Sequence, residues 1–313
     1  MKLLEIINGT LLGDASIKFD NFNYKKYNKK YFSYKVVAKD RKFLEWIEML
    51  FKKFKIYNCW ISRDNNKNSA IFALWFYINK YPEFLSLRDK WYKKVNNKTI
   101  KNVPRDLELT STVMLHWYLG DGCLIRRKND QNRVPCIVLA TNTFSKEDID
   151  FLIQKLKELN LNFYPVKYKS GFTKKESGYC LYSNTQDGTP FRFFKHIGEC
   201  PKEISNCSTG RKGIYHEEKF FKDKWPTEED WTKILSNVRL TYEILKKRRE
   251  KIGLSKSKIS ELTCISPRHI RHIEFGDRTL GVNKLRKVLK ALNLDISYLL
   301  RELNKGGLND NTC

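Results

Sequence analysis

Two apolar runs of the chain end in the same short pattern. The first 17 residues read MKLLEIINGTLLGDASI, and STVMLHWYLGDGCLI begins at Ser111. The apolar spacing predicts a short helix in each run. Each helix ends in glycine, aspartate and a small residue, so Asp14 and Asp121 lie at helix C-termini. A negative charge there opposes the helix dipole, which favours a functional role for both carboxylates over a local turn.

The same order of elements follows both runs. Segments in which aromatic and β-branched residues flank a polar break are typical of β-hairpins, and apolar residues at helical spacing predict amphipathic helices. In the first half these patterns predict two hairpins with a helix between them, and then a helix that continues past Pro82 to Trp91. The second half repeats the order, with Ser145 as N-cap of its middle helix. We therefore predict an α+β fold of two αββαββα repeats, at residues 1–100 and 101–205.

The net charge indicates a polyanionic partner. Lysine and arginine number 60 against 35 acidic residues, which gives a net charge of +25. Nucleic acid is the usual partner of so basic a globular protein. No apolar run approaches the ~20 residues of a membrane span, and Glu5 and Asn8 make the N-terminus a poor secretory signal. The eight cysteines form no Cys-x-x-Cys pair, so we predict reduced thiols in an intracellular protein.

The paired motifs resemble the two signature helices of single-chain LAGLIDADG homing endonucleases. The stretches VPRDLELTSTVMLHWYLGDGCL and LATNTFSKEDIDFLIQKL resemble the second motif of intron-encoded members, and the likeness covers about residues 1–200. The resemblance implies a β-saddle on double-stranded DNA. It also implies a monomeric, metal-dependent endonuclease that cuts both strands of a long target and leaves short 3′ overhangs.

The resemblance also implies the catalytic centre. In the family the two motif helices pack at a pseudo-dyad, so Asp14 and Asp121 would lie side by side under the two scissile phosphates. Together with Gly13 and Gly120 they would hold Mg²⁺, or Mn²⁺ or Ca²⁺ in its place, because hard cations prefer oxygen ligands. A bound cation can activate water and offset charge on the phosphate. Gly9 and Gly13 would allow close helix packing, whereas His116 stands at the position equivalent to Gly9.

Three further catalytic candidates follow from the same likeness. Lys39 and Asn142 lie near the end of the second strand of each repeat, where family members place a polar or basic residue. A lysine after the last helix of the first repeat is expected beside the site. Lys94 is our candidate, with Lys93 and Lys98 as alternatives.

The basic residues of the hairpins are candidates for DNA contact, since a twisted two-stranded ribbon can enter the major groove. Most of them would contact phosphates, which position the protein without specifying sequence. These residues are Lys25, Lys26, Lys29, Lys30, Arg126, Arg127, Arg133, Lys167, Lys169, Lys174 and Lys175.

The C-terminal part, residues 237–304, resembles the helix-turn-helix of Cro/C1-type repressors. Ser266 would cap the recognition helix and Pro267 would begin it. The residues expected to face the major groove are Arg268, His269 and Arg271. Cys264 replaces the glycine usual at the turn. We predict that residues 206–236 form a linker and 305–313 a tail.

Two other functions fit the same sequence. One is a transcriptional regulator built on an inactive scaffold, which the presence of both aspartates argues against. The other is a maturase that binds intron RNA, which can share the fold and keep both acids.

Overall fold

The computed structural model describes residues 2–19, 32–64, 71–81, 84, 86–127, 132–169, 176–212 and 218–305. The helices are α1 Leu3–Leu12, α2 Arg41–Lys53, α3 Leu87–Trp91, α4 Ser111–Asp121, α5 Lys146–Glu158, α6 Thr189–Ile197, α7 Glu228–Leu235, α8 Arg239–Lys251, α9 Lys256–Thr263, α10 Pro267–Glu274, α11 Val282–Ala291 and α12 Ile296–Lys305. The strands are β1 Ala15–Phe19, β2 Phe32–Ala38, β3 Cys59–Asp64, β4 Ile71–Tyr77, β5 Tyr92–Val95, β6 Lys98–Lys101, β7 Gly122–Ile125, β8 Cys136–Ala140, β9 Phe163–Lys169, β10 Glu176–Ser183, β11 Ser208–Lys212 and β12 Glu218–Phe220. Within this part of the chain, no helix has the length and apolarity that crossing a membrane would require.

Two αββαββα repeats confirm the predicted fold class. The first runs from α1 to α3 and the second from α4 to α6, each with one four-stranded sheet. The strand orders are β1-β2-β4-β3 and β7-β8-β10-β9, so both repeats share one antiparallel topology. One face of each sheet packs into the core. Side chains such as Tyr34 and Leu74 in the first sheet, and Leu139 and Leu181 in the second, join a single core that spans both repeats.

The polar joint between the repeats is a third hairpin, formed by β5 and β6. Its turn residues Asn96 and Asn97 have φ values of 48° and 61°, as a two-residue hairpin turn with the twist of its strands requires. Before it, the helix predicted to run past Pro82 is shorter. A 3₁₀ turn at Ile78–Lys80 and the five-residue α3 take its place among the described residues.

In the segment predicted as a linker, 206–236, the described residues 206–212 and 218–236 are folded and lie across both repeats. The Ser208 amide donates to Asp40 Oδ2 at 2.6 Å, and the rings of Phe43 and Phe221 stack with centroids 4.6 Å apart. On the second repeat, Tyr118 Oη donates to the Lys224 carbonyl at 2.5 Å. The segment therefore holds the two repeats together before the chain enters the C-terminal helices.

The C-terminal helices form a second core that includes part of the second repeat. Phe191 of α6 packs in this core with Ile234, Leu235 and residues of α8 to α12. Lys195 of α6 also donates to the Leu303 carbonyl at 3.2 Å. The helix-turn-helix is thus packed directly against the second repeat.

The turn and the recognition helix of the helix-turn-helix form at the residues that the sequence predicts. Cys264 adopts the left-handed conformation, with φ 55°, in place of the glycine usual there. The Ser266 hydroxyl accepts from the His269 amide at 3.3 Å, and Pro267 begins α10. Ile270 is buried. The turn therefore forms without a glycine.

A buried ion pair joins α8 to α10 in this domain. The Arg249 guanidinium on α8 donates to both carboxylate oxygens of Glu274 on α10, at 2.6 and 3.0 Å. Both side chains are about nine-tenths buried. Their mutual hydrogen bonds offset the cost of removing both charges from water.

We predict that Arg249→Met destabilises the C-terminal helices by about 3 kcal/mol, because it leaves the Glu274 carboxylate buried without its main partner. Hydrogen exchange of α8 and α10 amides in the full chain measures this local stability. Lys258→Met, which breaks the exposed pair with Glu261, is the control and should cost less than about 1 kcal/mol. Equal effects of the two substitutions would contradict a structural role for the buried pair.

Candidate active site

The two motif helices touch at their glycines. A Cβ on Gly9 would lie 2.5 Å from the Val113 carbonyl oxygen and 2.7 Å from His116 Cβ. At the far end of the helices, a Cβ on Gly13 would lie 3.4 Å from Gly120 Cα, so the two backbones are in contact there. Residues with side chains at these positions would force the helices apart. Gly9 and Gly13 thus occupy the closest points of the interface, as their spacing predicts.

The close packing brings the two aspartates together. A Cβ on Gly120 would lie 3.2 Å from the Asp14 amide nitrogen and 3.7 Å from Asp14 Oδ2. The Asp14 carboxylate therefore lies beside the backbone that carries Asp121. Asp14 is exposed and Asp121 half-buried, and both lie at the same end of the helix pair.

Lys101, the last residue of β6, lies beside the two aspartates. Its Nζ donates to the carbonyls of Ala15 at 2.9 Å and Gly13 at 3.3 Å. Burial lowers the pKa of Lys101 to about 8, although the negative charges of Asp121 and Asp14 act to raise it. An ammonium group with so low a pKa, next to two carboxylates, is characteristic of a functional site.

Lys224 lies at the end of the motif helix of the second repeat. It is buried, and its Nζ donates to the carbonyls of Leu119 at 2.6 Å and Tyr118 at 3.2 Å, in the last turn of α4. These carbonyls belong to the negative end of the helix dipole, where a cation is favourable. Each motif helix therefore ends against a lysine that comes from the segment after its own repeat.

Sequence reasoning missed both lysines. A weak signal exists, because each comes after the last helix of its repeat and shortly before a proline, in Lys101-Asn102-Val103-Pro104 and Lys224-Trp225-Pro226. The lysine proposed from the sequence, Lys94, lies exposed on β5, as do Lys93 and Lys98 on this hairpin. The hairpin instead brings its final residue to the aspartates.

The two strand-end candidates lie against backbone segments. Lys39 Nζ donates to the Gly210 carbonyl at 3.0 Å, and its side-chain carbons fill the space where a Gly210 Cβ would be. The half-buried Asn142 has its backbone against Gly178, where a Cβ would lie 2.2 Å from the Asn142 carbonyl oxygen. Gly178 has φ 68°, so a glycine there permits both the conformation and the contact.

The donor set fits a hard divalent cation with few protein ligands. Two carboxylates converge at the ends of the helix pair, and no group of three His, Cys, Asp or Glu side chains suited to a metal occurs in the described part of the chain. Mg²⁺ is commonly held by one or two carboxylates, with waters and substrate phosphates as the other ligands. Asp14 and Asp121 are therefore suited to hold such an ion against a phosphate.

His116 has a packing role in the helix interface. It is fully buried, and its ring stacks on Trp46 with centroids 5.5 Å apart. Burial lowers the pKa of His116 to about 3, so its imidazole is neutral at ordinary pH. The position equivalent to Gly9 in the second motif helix therefore carries a side chain whose Cβ lies against Gly9, while its ring packs on Trp46.

The proposed DNA contacts of the hairpins have varied surroundings. Arg127, Arg133 and Lys167 are exposed. Arg126 instead donates to Asp230 Oδ2 at 2.7 Å and to the carbonyls of Asp223 and Trp225, both at 2.8 Å. Its guanidinium thus joins β7 to the segment that leads into the C-terminal helices. The side chains of Lys25, Lys26, Lys29, Lys30, Lys169, Lys174 and Lys175 lie outside the described residues.

The recognition helix presents its basic residues as the sequence predicts. Arg268 and Arg271 are exposed, whereas His269 is half-buried. Burial, and then the charge of Lys284, lowers the pKa of His269, so its ring is mainly neutral at pH 7. The outward charge of α10 therefore comes from the two arginines.

The fold and site define a protein of two related repeats that place one carboxylate each at a shared pseudo-dyad. Residues 4–191 match the model of the LAGLIDADG DNA endonuclease family. The chain belongs to this family. Residues 245–299 match a helix-turn-helix model, which confirms the predicted C-terminal module.

Several known proteins are similar to part of this chain. The uncharacterized protein MJ1098 of Methanocaldococcus jannaschii is 30% identical over 162 residues, half of this chain and 56% of that protein. The homing endonuclease I-WcaI, solved with its DNA recognition sequence, is similar at 22% identity and TM-score 0.46, over 62% of this chain and 79% of its own. I-DmoI variants reach TM-score 0.40 at 12% identity, over 63% and 97%.

We predict that Asp14→Asn and Asp121→Asn each lower the pKa of Lys101 below its value near 8, because each removes a negative charge that stabilises the ammonium form. A titration of the ¹³Cε signal of Lys101 from pH 6 to 11 measures this, with Lys101→Arg to assign the signal. Asp150→Asn, at the exposed pair with Lys146, should leave the titration unchanged. If the titration midpoint of Lys101 is unchanged in both site variants, the aspartates do not stabilise its ammonium form and the prediction is wrong.

Proposed function

We propose that this protein is a site-specific, metal-dependent endonuclease that hydrolyses both strands of a long DNA target and leaves short 3′ overhangs. The observation that carries the proposal is the convergence of Asp14 and Asp121 at the contact between two related helices, with Lys101 beside them. Cutting two strands requires two centres related as the strands are, and the pseudo-dyad supplies one carboxylate for each.

The residues divide the work in the following way. Asp14 and Asp121, with the carbonyls of Gly13 and Gly120, bind the divalent cation, Mg²⁺ in the cell. When bound, this ion supplies an activated water and offsets charge on the phosphate. The Lys101 ammonium stabilises negative charge that develops on the phosphate and the leaving oxygen, in a partly buried place where such an interaction is strong. Lys224 fixes the end of α4 and so positions Asp121.

The other DNA contacts lie outside this centre. The sheets face the major groove, and exposed arginines such as Arg127 and Arg133 contact phosphates. The helix-turn-helix, packed on the second repeat, extends the contact at one end of the target. A monomer is sufficient, because both carboxylates belong to one chain. An intron or a similar mobile element fits a protein that cuts one long site.

The two alternatives differ from this proposal in their ligand. A transcriptional regulator on an inactive scaffold would bind DNA without needing both carboxylates, and both are present and paired. An intron RNA maturase would bind RNA with the same fold. Cleavage and binding assays with duplex DNA and with structured RNA distinguish all three functions.

We predict that Asp14→Asn and Asp121→Asn each reduce double-strand cleavage at least about 100-fold, while the affinity for duplex DNA changes little. The charge lost is needed for the cation and not for the basic binding surface. Targets selected from a random duplex library with Mg²⁺ provide the substrate, and gel analysis separates nicked from linear product. Asp150→Asn is the matched surface control. Normal double-strand cleavage by both site variants would rule out the catalytic assignment.

A second prediction concerns α10. If Arg268 and Arg271 contact guanines, alanine at either position should weaken binding by about 1–3 kcal/mol and relax sequence preference at one flank only. The cut position should stay the same, because Asp14 and Asp121 determine it. Footprints of the full chain and of the variants on one selected target measure both effects. A uniform loss of affinity on all sequences would instead make these arginines phosphate contacts.

A further inference from the structure

The second sheet has a second face, called here the open face, opposite the one that packs into the core. Val138 and Cys180 on it are each 6% exposed, and its other described residues are half-buried or exposed. In its register Cys123 lies opposite Val138, which lies opposite Tyr182. Because successive side chains of a strand alternate between faces, these three project away from the face that buries Leu139 and Leu181. The same register assigns the following residues to the open face: Cys123, Ile125, Cys136, Val138, Ala140, Tyr164, Val166, Cys180 and Tyr182.

This open face is apolar and rich in thiols. It carries three cysteines, four aliphatic side chains and two tyrosines. Ile125 is 36% exposed and Tyr164 49% exposed, and the rings of Tyr164 and Tyr182 lie 6.2 Å apart. Among its described residues there is no amide, ammonium or guanidinium side chain, the groups that make paired hydrogen bonds to base edges.

The open face of the first sheet has a different chemistry. There Lys18 lies opposite Ser33, and Ser16 lies opposite Lys35, which in turn lies opposite Trp75. The Lys35 ammonium sits 4.4 Å from the centre of the Trp75 ring. Lys18 is exposed, whereas Ser33 and Lys35 are buried. Ammonium groups, which can hydrogen-bond to bases, therefore occur on this face and not on the described part of the other, although Trp60 and Trp75 also lie on it.

The thiol-rich face is continuous with the catalytic centre. Cys123 follows Asp121 by two residues, in β7, and its register places it on this face. Burial raises the pKa of Cys180 on the same face. At its other end, burial raises the pKa of Cys136, and the exposed Arg127 acts against that rise. Both thiols stay protonated near neutral pH, so they carry no negative charge that would repel a phosphate. A cation thus lies at one end of the apolar face and the active site at the other.

We propose that the second repeat reads its half of the DNA target by apolar contact, with Cys123, Cys136 and Tyr182 lying against thymine methyl groups in the major groove. The inference rests on the proposed DNA endonuclease function and deepens it by naming the chemistry of one half-site. The thymine methyl is the one apolar group that base edges present in the major groove. Apolar side chains therefore favour A·T pairs there, whereas the first repeat reads its half by hydrogen bonds.

Uracil substitution tests this assignment within a single duplex. The full-length protein binds a target selected from a random library, with EDTA present so that cleavage plays no part. Replacing the thymines of the second half by uracil removes methyl groups and no hydrogen bond, and each contacted methyl should account for about a fourfold loss of affinity. The same replacement in the first half is the internal control and should change affinity less than twofold.

Thiol protection supplies a second measurement that needs no nuclease activity. Mass spectrometry follows N-ethylmaleimide modification of each cysteine, with and without the selected duplex. Modification of Cys123 and Cys136 should slow at least about tenfold when DNA is bound. Cys59 is the matched control, because it is also half-buried but belongs to the first sheet, where its thiol lies near Glu48. Its rate should not change.

The outcomes separate the two proposals. If the protein binds and cleaves the target equally well with uracil in the second half, and DNA does not protect the thiols, apolar reading is wrong. The proposed nuclease function would then still stand. If uracil in the second half lowers the affinity but the protein cleaves no DNA, the result would support apolar reading and refute the proposed nuclease activity. Binding of single-stranded RNA in preference to every duplex would overturn both, and would make the tyrosines a stacking surface.

Discussion

The contact between α1 and α4 is the constraint on which the site depends. Two helices can approach this closely only where at least one of them lacks a side chain at each point of contact, and Gly9, Gly13 and Gly120 provide that absence. Because Asp14 and Asp121 each follow directly on one of these glycines, the packing of the helices also determines the spacing of the two carboxylates. That spacing is therefore set by backbone contact and not by flexible side chains.

Around this contact the remaining elements act as a frame. The two sheets continue directly from the motif helices, since β1 begins at Ala15 and β7 at Gly122. A change in the helix crossing would therefore move the two aspartates and both sheets together. Lys101 and Lys224 close the frame at the helix ends, where unpaired carbonyls need donors.

Much of this arrangement could be predicted from the sequence, because local patterns encode it. Hydrophobic periodicity determined the element order of both repeats, and the caps at Ser145 and Ser266 follow from side-chain chemistry next to a helix start. The partners of single charged residues could not be predicted. Arg126 reads as a surface charge, yet it binds Asp230, which is remote in sequence. In the sequence Lys101 is one of several lysines in a polar joint, and only the turn of its hairpin brings it beside the two aspartates.

The segment that crosses both repeats has a consequence for synthesis of the protein. Phe221 stacks on Phe43, and Lys224 caps a helix more than a hundred residues before it. Contacts so distant along the chain form late, since the intervening loop must close first. As the chain leaves the ribosome, neither repeat can acquire its final packing until residue 224 has emerged. A chain that stops short of that residue would leave Phe43 and the end of α4 without these partners, so newly made protein is more vulnerable to aggregation and proteolysis in the interval before this segment has folded.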